Sequence, residues 1–258
     1  MKEKLASQKH LSGTNVTLMD ASIGEIFGYL GFDFIWIDTE HSTIDYQTLN
    51  LMIMGVKAAS TSPLVRVPWQ DPTATKKVLE MGAEGILFPM VNTAEEADRA
   101  MRQCLYPPLG DRGFGPRRAV RYGLDDVREY VYEKSLSICR FIQIESEQAI
   151  RNLPEIVKNP YIDGYIFGPN DLSASIGEFG NVYGEKTGAL IDEAMAILKP
   201  TGKTIGVSVD ATDVEKLKYW HDKGIRMITS GQDCGYLVRG AKATLANLRV
   251  VQGGGQQS

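Results

Sequence analysis

Short runs of apolar residues, mostly β-branched or aromatic, recur along the chain, separated by longer stretches whose apolar positions have helical spacing. The runs fall at 16–19, 34–37, 63–67, 85–89, 139–144, 164–167, 204–209 and 227–229. Their near-continuous apolarity suits parallel strands covered by helices rather than hairpins with one wet face. The stretches between them predict helices over 23–30, 46–59, 72–81, 94–104, 147–157, 188–198, 214–223 and 236–250. Gly31, Gly82 and Gly224 stand just beyond three of these, where glycine commonly closes a helix.

Alternating strands and helices point to an α/β fold, either a doubly wound open sheet or a closed (β/α)8 TIM barrel. The count of eight favours the barrel. About 250 residues commonly make one such unit, so a single domain over 1–251 is expected, with 252–258 a disordered tail rich in Gly and Gln. The connection 106–137 is unusually long and opens on Tyr106-Pro107-Pro108-Leu109-Gly110-Asp111-Arg112-Gly113. Insertions of that size often serve as a lid or a partner contact. Its Arg117, Arg118 and Arg121 read first as a solvated helix face, and alternatively as a site for an acidic or phosphorylated ligand.

Composition narrows the function classes. A net charge of −4 with no Lys/Arg-dense stripe gives no reason to expect a nucleic-acid partner. Cys104, Cys139 and Cys234 are widely spaced and lack a CxxC, which argues against a disulfide framework or a cysteine zinc site. No run approaches the roughly 18 apolar residues of a membrane helix. The opening Met1-Lys2-Glu3-Lys4-Leu5 has no signal-peptide core. A cytoplasmic protein without a membrane partner is expected. Hydrolase and nucleotide-loop motifs such as GxSxG, HExxH and GxGxxG are missing, so no organic cofactor is indicated.

In α/β barrels the reactive groups sit at the C-terminal ends of the strands. Unusual polar residues cluster there: Asp38-Thr39-Glu40-His41, Arg66, Gln143-Ile144-Glu145 and Gly168-Pro169-Asn170-Asp171. Glu145 and Asp171 end neighbouring strands roughly 4.8 Å apart. Two such carboxylates repel unless they share a proton or a cation, and a hard divalent ion suits them. Alternatively, Asp171 caps a helix starting at Leu172. His41 is suited to general-base work, with Asp38 either orienting it or capping a helix. Arg66 either stabilises a developing oxyanion or pairs structurally with Glu40 or Asp38. The 168–173 turn presents backbone N–H groups at a helix start. None of these strand ends carries a lysine, which counts against Schiff-base chemistry.

Those segments, with Phe32-Asp33-Phe34-Ile35-Trp36-Ile37 ahead of the Asp38–His41 run and Gly168-Pro169-Asn170-Asp171-Leu172-Ser173, resemble the HpcH/HpaI aldolase family. The similarity runs in order from about residue 12 to 250. It implies a class II pyruvate aldolase on a (β/α)8 barrel, assembled as a homo-hexamer, a trimer of dimers. By resemblance Glu145 and Asp171 ligate Mg2+, Mn2+ or Co2+. Pyruvate then lies against the metal, Arg66, Gln143 and the Gly168, Pro169, Asn170 and Asp171 turn, with His41 as base oriented by Asp38. The implied reaction reversibly cleaves a 4-hydroxy-2-oxo acid to pyruvate and an aldehyde. Two positions depart from the family pattern. Glu80 stands where relatives carry an aspartate in an inter-subunit relay, and Asn15 stands where an aromatic lines the aldehyde pocket. Oxaloacetate decarboxylation needs the same enolate and is the nearest rival, and a non-catalytic barrel binding an organic acid is the alternative of another class.

Overall fold

The computed structural model describes residues 1–7 and 10–252. Eight parallel strands, β1 (Leu11–Val16), β2 (Phe34–Asp38), β3 (Ser62–Arg66), β4 (Gly85–Phe88), β5 (Cys139–Ile144), β6 (Gly164–Phe167), β7 (Thr204–Val209) and β8 (Met227–Gln232), form a closed barrel. Each pairs with the next in sequence, and β8 closes onto β1. The expected (β/α)8 barrel is therefore the fold. The helices predicted from spacing are present as Ala21–Tyr29, Tyr46–Ala58, Pro72–Glu80, Ala94–Cys104, Glu147–Ile156, Glu185–Leu198, Val214–Asp222 and Asp233–Val251. Several start where expected from capping chemistry. Asp20, Asp45, Asp71, Thr93, Ser146 and Asp213 each accept a hydrogen bond from a backbone N–H of the first turn. Gly31, Gly82 and Gly224 all take positive φ just past a helix end. Of the expected tail, residues 253–258 lie outside the described residues.

The strands' two faces separate two cores. Ile35, Ile37, Val65, Ile86, Ile142, Ile144, Phe167 and Val207 face outward and pack against the helices. A second cluster, including Leu11, Phe34, Trp36, Leu64, Leu87, Phe141, Ile166 and Met227, fills the barrel interior, and Met1 and Leu5 pack against it. Leu5 belongs to a short helix, Lys2–Ala6, which follows Met1 and has no counterpart among the predicted elements. Because side chains alternate along a strand, the next inward position lies two residues, about 6.6 Å, further on. There the interior turns polar: Trp36 is followed by Asp38, Leu64 by Arg66 and Phe141 by Gln143. The strand pattern thus carries both the apolar plug and the polar floor of the site above it.

Strand β1 corrects the sequence reading, which placed it at 16–19. The strand is Leu-Ser-Gly-Thr-Asn-Val, too polar for a buried strand by hydropathy alone. Its register explains why. Gly13 pairs with Phe34 and Asn15 with Trp36, so large rings from β2 already occupy the interior that β1 would otherwise fill. A Cβ on Gly13 would sit 2.3 Å from the Phe34 ring.

The long 106–137 connection also differs from expectation. It leaves the end of helix Ala94–Cys104 and returns to the start of β5, so it lies at the N-terminal end of the barrel. It contains short helical turns and a small core of its own, Tyr106, Val120 and Tyr130. Arg112 is buried there, its guanidinium 4.5 Å from the Tyr106 ring centroid and donating to the Tyr130 hydroxyl at 3.0 Å. Within one chain the segment cannot act as a lid over the C-terminal ends of the strands. Nor do its basic residues reach that end, since Arg118 donates to the Met81 carbonyl and Arg121 pairs with Asp125.

Gly13→Ala should destabilise the barrel by about 1–3 kcal/mol through overpacking, read as a lower urea midpoint. Adding Phe34→Leu should recover part of that loss. A single variant as stable as the parent would contradict the close packing of β1 on β2.

Candidate active site

The polar layer opens into a cavity of about 370 Å³ at the C-terminal ends of the strands. Asp38, His41, Arg66, Gln143, Gly168, Pro169, Asn170 and Asp171 all line it, so the structure brings the predicted residues together. Glu145 lies just behind that lining, buried beside Gly168. Glu80 is elsewhere. It ends helix Pro72–Glu80 on a face shared with Arg117, Arg118 and Tyr122, and does not line the cavity of its own chain.

Arg66 organises the floor. The β2–β3 register sets Asp38 directly beside it, and Asp38 takes two hydrogen bonds from the guanidinium, Nε to Oδ1 at 2.9 Å and Nη2 to Oδ2. Arg66 Nη1 donates to Gln143 Oε1 at 3.2 Å, and the guanidinium lies 5.3 Å from the Trp36 ring centroid. Glu40 Oε2 is 2.9 Å from Nη1 but outside hydrogen-bond geometry, so it is a buried charge beside a cation with no hydrogen bond of its own. Burial works against the Arg66 charge, yet Asp38, Glu40 and Glu145 hold it protonated. Three of the five guanidinium N–H bonds are spent, leaving two for a ligand.

Of the two roles considered for Asp38, orienting His41 or capping, its contacts toward His41 are of the capping kind. Its Oδ1 accepts the backbone N–H groups of Glu40 and His41, at 3.0 and 3.3 Å, so it shapes the loop rather than the imidazole. The ring's acidic neighbour is Glu40, with Oε2 3.9 Å from His41 Nε2. The His41 side chain is about two-thirds exposed at the cavity mouth, at 66%. Burial is the main influence raising the Glu40 carboxyl above its ordinary range, opposed by Arg66 and His41. Glu40 joins the site although sequence reasoning gave it no role beyond an ion pair with Arg66. The signal was its place between Asp38 and His41.

Glu145 is held from two sides. Gln143 Nε2 donates to Oε2 at 2.7 Å and the Met90 N–H to Oε1 at 2.6 Å. Met90 sits at φ 52°, a conformation costly for a side chain, and its carbonyl accepts from Gln70 at 3.0 Å and Asn92 at 3.2 Å. A strained, braced turn after β4 thus aims a backbone donor at the carboxylate. Sequence reasoning missed this element because it depends on a backbone angle that no side-chain pattern announces. Burial pushes the Glu145 carboxyl up to about 7, the Met90 hydrogen bond opposes this, and the neighbouring Asp171 and Glu40 charges add to it.

The donor chemistry fits a hard divalent cation. Asp171 sits in the first turn of helix Pro169–Ser175 at the cavity edge, and its charge is felt by both Glu145 and Glu40. Each Glu145 oxygen accepts one hydrogen bond and keeps lone-pair capacity. No group of three or more His, Cys, Asp or Glu side chains is arranged to hold a metal among the described residues. A cation here would therefore rest on two carboxylates, with water and ligand oxygens completing its shell, as magnesium and manganese tolerate. Gly168 leaves room for the Glu145 carboxylate itself. A Cβ there would lie 2.7 Å from Glu145 Oε2 and 3.1 Å from Gln143 Nε2. Its φ of −103° is open to any residue, so the requirement is space and not backbone freedom.

Comparison with known proteins places the chain in a family. The family described as HpcH/HpaI aldolase/citrate lyase matches residues 12–239. A 4-hydroxy-2-oxo-heptane-1,7-dioate aldolase of Klebsiella pneumoniae is 32% identical over 245 residues, 95% of this chain and 92% of that protein. A crystal structure of an HpcH/HpaI aldolase from Desulfitobacterium hafniense superposes with a TM-score of 0.90 at 27% identity, covering 96% of both chains. An HpcH/HpaI aldolase/citrate lyase family protein from Burkholderia cenocepacia gives a TM-score of 0.89 at 27% identity, over 96% of this chain and 98% of that one.

Gly168→Ala should leave the circular dichroism spectrum intact while weakening Mn2+ binding by at least about tenfold, read by electron paramagnetic resonance titration. Parental affinity in that variant would contradict the placement of a cation beside Glu145.

Proposed function

The chain belongs to the HpcH/HpaI aldolase/citrate lyase family, and on that premise we propose that it is a metal-dependent carbon–carbon lyase joining pyruvate to an aldehyde and reversing that reaction. The observation that carries the reading is the continuous hydrogen-bonded line Asp38–Arg66–Gln143–Glu145 across the floor of one cavity, with Asp171 at its edge. In synthesis, pyruvate's methyl carbon loses a proton and bonds to the aldehyde carbon, and the aldehyde oxygen gains a proton. The product is a 4-hydroxy-2-oxo acid.

Glu145 and Asp171 would hold Mg2+, Mn2+ or Co2+, which supplies Lewis acidity that lowers the pKa of the pyruvate methyl group. The chain's own residues do the rest. Arg66, charged and locked by Asp38, directs its free N–H groups at the enolate oxygen as charge develops there. Gln143 fixes Glu145, and the Met90 N–H keeps that carboxylate from turning away. The N–H groups of Asn170 and Asp171 receive the pyruvate carboxylate. His41, at the mouth beside Glu40, takes the methyl proton and returns a proton to the aldehyde oxygen. The interior below the site is sealed by Phe34, Trp36 and Phe141, which keeps water from the enolate's lower face.

Assembly from identical copies is part of the proposal. Helix Asp233–Val251 buries only Asp233 and exposes Leu237, Val238, Leu245, Leu248, Val250 and Val251. Beside its root, an apolar groove over β8 and β1 is lined by Phe32, Leu217, Ile228 and Tyr236. Both features support an oligomer, and the family resemblance supports a hexamer. Multi-angle light scattering should give six times the chain mass, and a monomer would contradict it. No helix among the described residues is long and apolar enough to cross a membrane. Three unpaired cysteines support a cytoplasmic location.

Methyl proton exchange of pyruvate in deuterium oxide, followed by NMR without any aldehyde, tests the reading. Exchange should appear with Mg2+, Mn2+ or Co2+, vanish with chelator, and fall by at least about a hundredfold in Glu145→Gln. No exchange with any of these cations would contradict it.

A further inference from the structure

The cavity has two chemically different walls. The wall from β2, β3, β5 and β6 carries Asp38, Arg66, Gln143 and Asp171, with Glu145 behind them. The wall from β1, β7 and β8 carries Asn15, Thr17, Ser208, Asp210, Gln232 and Cys234. Among the described residues this second wall holds no lysine or arginine. The arginine of the first wall is held by Asp38 and Gln143, and its remaining N–H groups serve the pyruvate end of the cavity.

Two groups on the second wall are acceptors awaiting donors. Asn15 donates from Nδ2 to Ser208 Oγ at 3.4 Å, while its Oδ1 is buried without a hydrogen bond. An orphaned buried carbonyl costs free energy unless a ligand donates to it. Asp210 lines the same wall, exposed, and its ionised carboxylate can only accept. An aldehyde bearing hydroxyl groups satisfies both. An aldehyde ending in carboxylate or phosphate satisfies neither and brings a like charge toward Asp210.

We propose that the β1–β7–β8 wall, at the acceptor end of the cavity, selects uncharged hydroxyaldehydes over aldehydes with an anionic terminus. The inference rests on the lyase reading above and specifies its second substrate. It separates this chain from relatives whose named substrate, a heptane-1,7-dioate, carries a second carboxylate. The bond formed is the one between the pyruvate methyl carbon and the aldehyde carbon. Asn15 Oδ1 and Asp210 hold the acceptor's hydroxyls and take no part in proton transfer.

The test uses the full-length protein with Mn2+ and pyruvate, comparing D-glyceraldehyde with succinic semialdehyde by initial rates of adduct formation. Glyceraldehyde should show the higher kcat/KM by at least about tenfold. Asp210→Asn should narrow that ratio by about fivefold, and Asn15→Leu should lower kcat/KM for glyceraldehyde relative to propanal. Both aldehydes are run on each protein, so intrinsic electrophilicity cancels in the comparison of ratios. Pyruvate exchange without aldehyde is measured alongside. Exchange intact with succinic semialdehyde preferred, or with the ratio unmoved by Asp210→Asn, overturns the subsite assignment alone. No exchange in the wild-type protein overturns it together with the lyase reading.

Discussion

A guanidinium buried inside a barrel must be surrounded by acceptors, and how Arg66 meets that requirement fixes most of the site. Parallel pairing of β2 and β3 in a register that matches Asp38 with Arg66 supplies the first acceptor without any loop adjustment. Trp36, one layer below, gives the cation an aromatic face. Gln143 takes one N–H and passes orientation on to Glu145 through its own amide. The result is a rigid line of polar groups spanning four strands, anchored at one end by the strand register and at the other by the Met90 N–H. A carboxylate so fixed cannot relax toward solvent, and its burial makes a cation or a proton its natural companion.

The apolar plug under this line is equally necessary. Inward positions on β2, β3 and β5 change from large hydrophobic to polar in one step of two residues, so the site stands on a packed floor. β1 contributes little volume there, because Phe34 and Trp36 of β2 already fill it. That economy lets β1 bring Asn15 to the cavity wall.

Much of this was legible in the sequence. Parallel strands covered by helices have an outward face that is uniformly apolar, which is why seven of the eight appeared as apolar runs. The strand ends announced themselves because Asp38, Arg66 and Glu145 are residues that rarely follow such runs without a purpose. β1 escaped because its inward face answers to its neighbour's bulk and not to hydropathy. Met90 escaped because its contribution is a backbone N–H in a strained conformation. Sequence adjacency left Asp38 open between His41, a capping role and Arg66, and it is the strand register that brings it against Arg66. The alternative of a ligand site at Arg117, Arg118 and Arg121 stood only while the end of the barrel they occupy was unknown.

The central claim is that Glu145 and Asp171 jointly hold the cation against which pyruvate is activated. Anomalous diffraction from crystals soaked with Mn2+ and pyruvate tests it most directly. The account predicts one strong manganese peak bonded to both carboxylates, with pyruvate oxygens beside it and Arg66 within hydrogen-bond reach of the keto oxygen. A peak elsewhere, or pyruvate bound in the cavity with no manganese between Glu145 and Asp171, would contradict it.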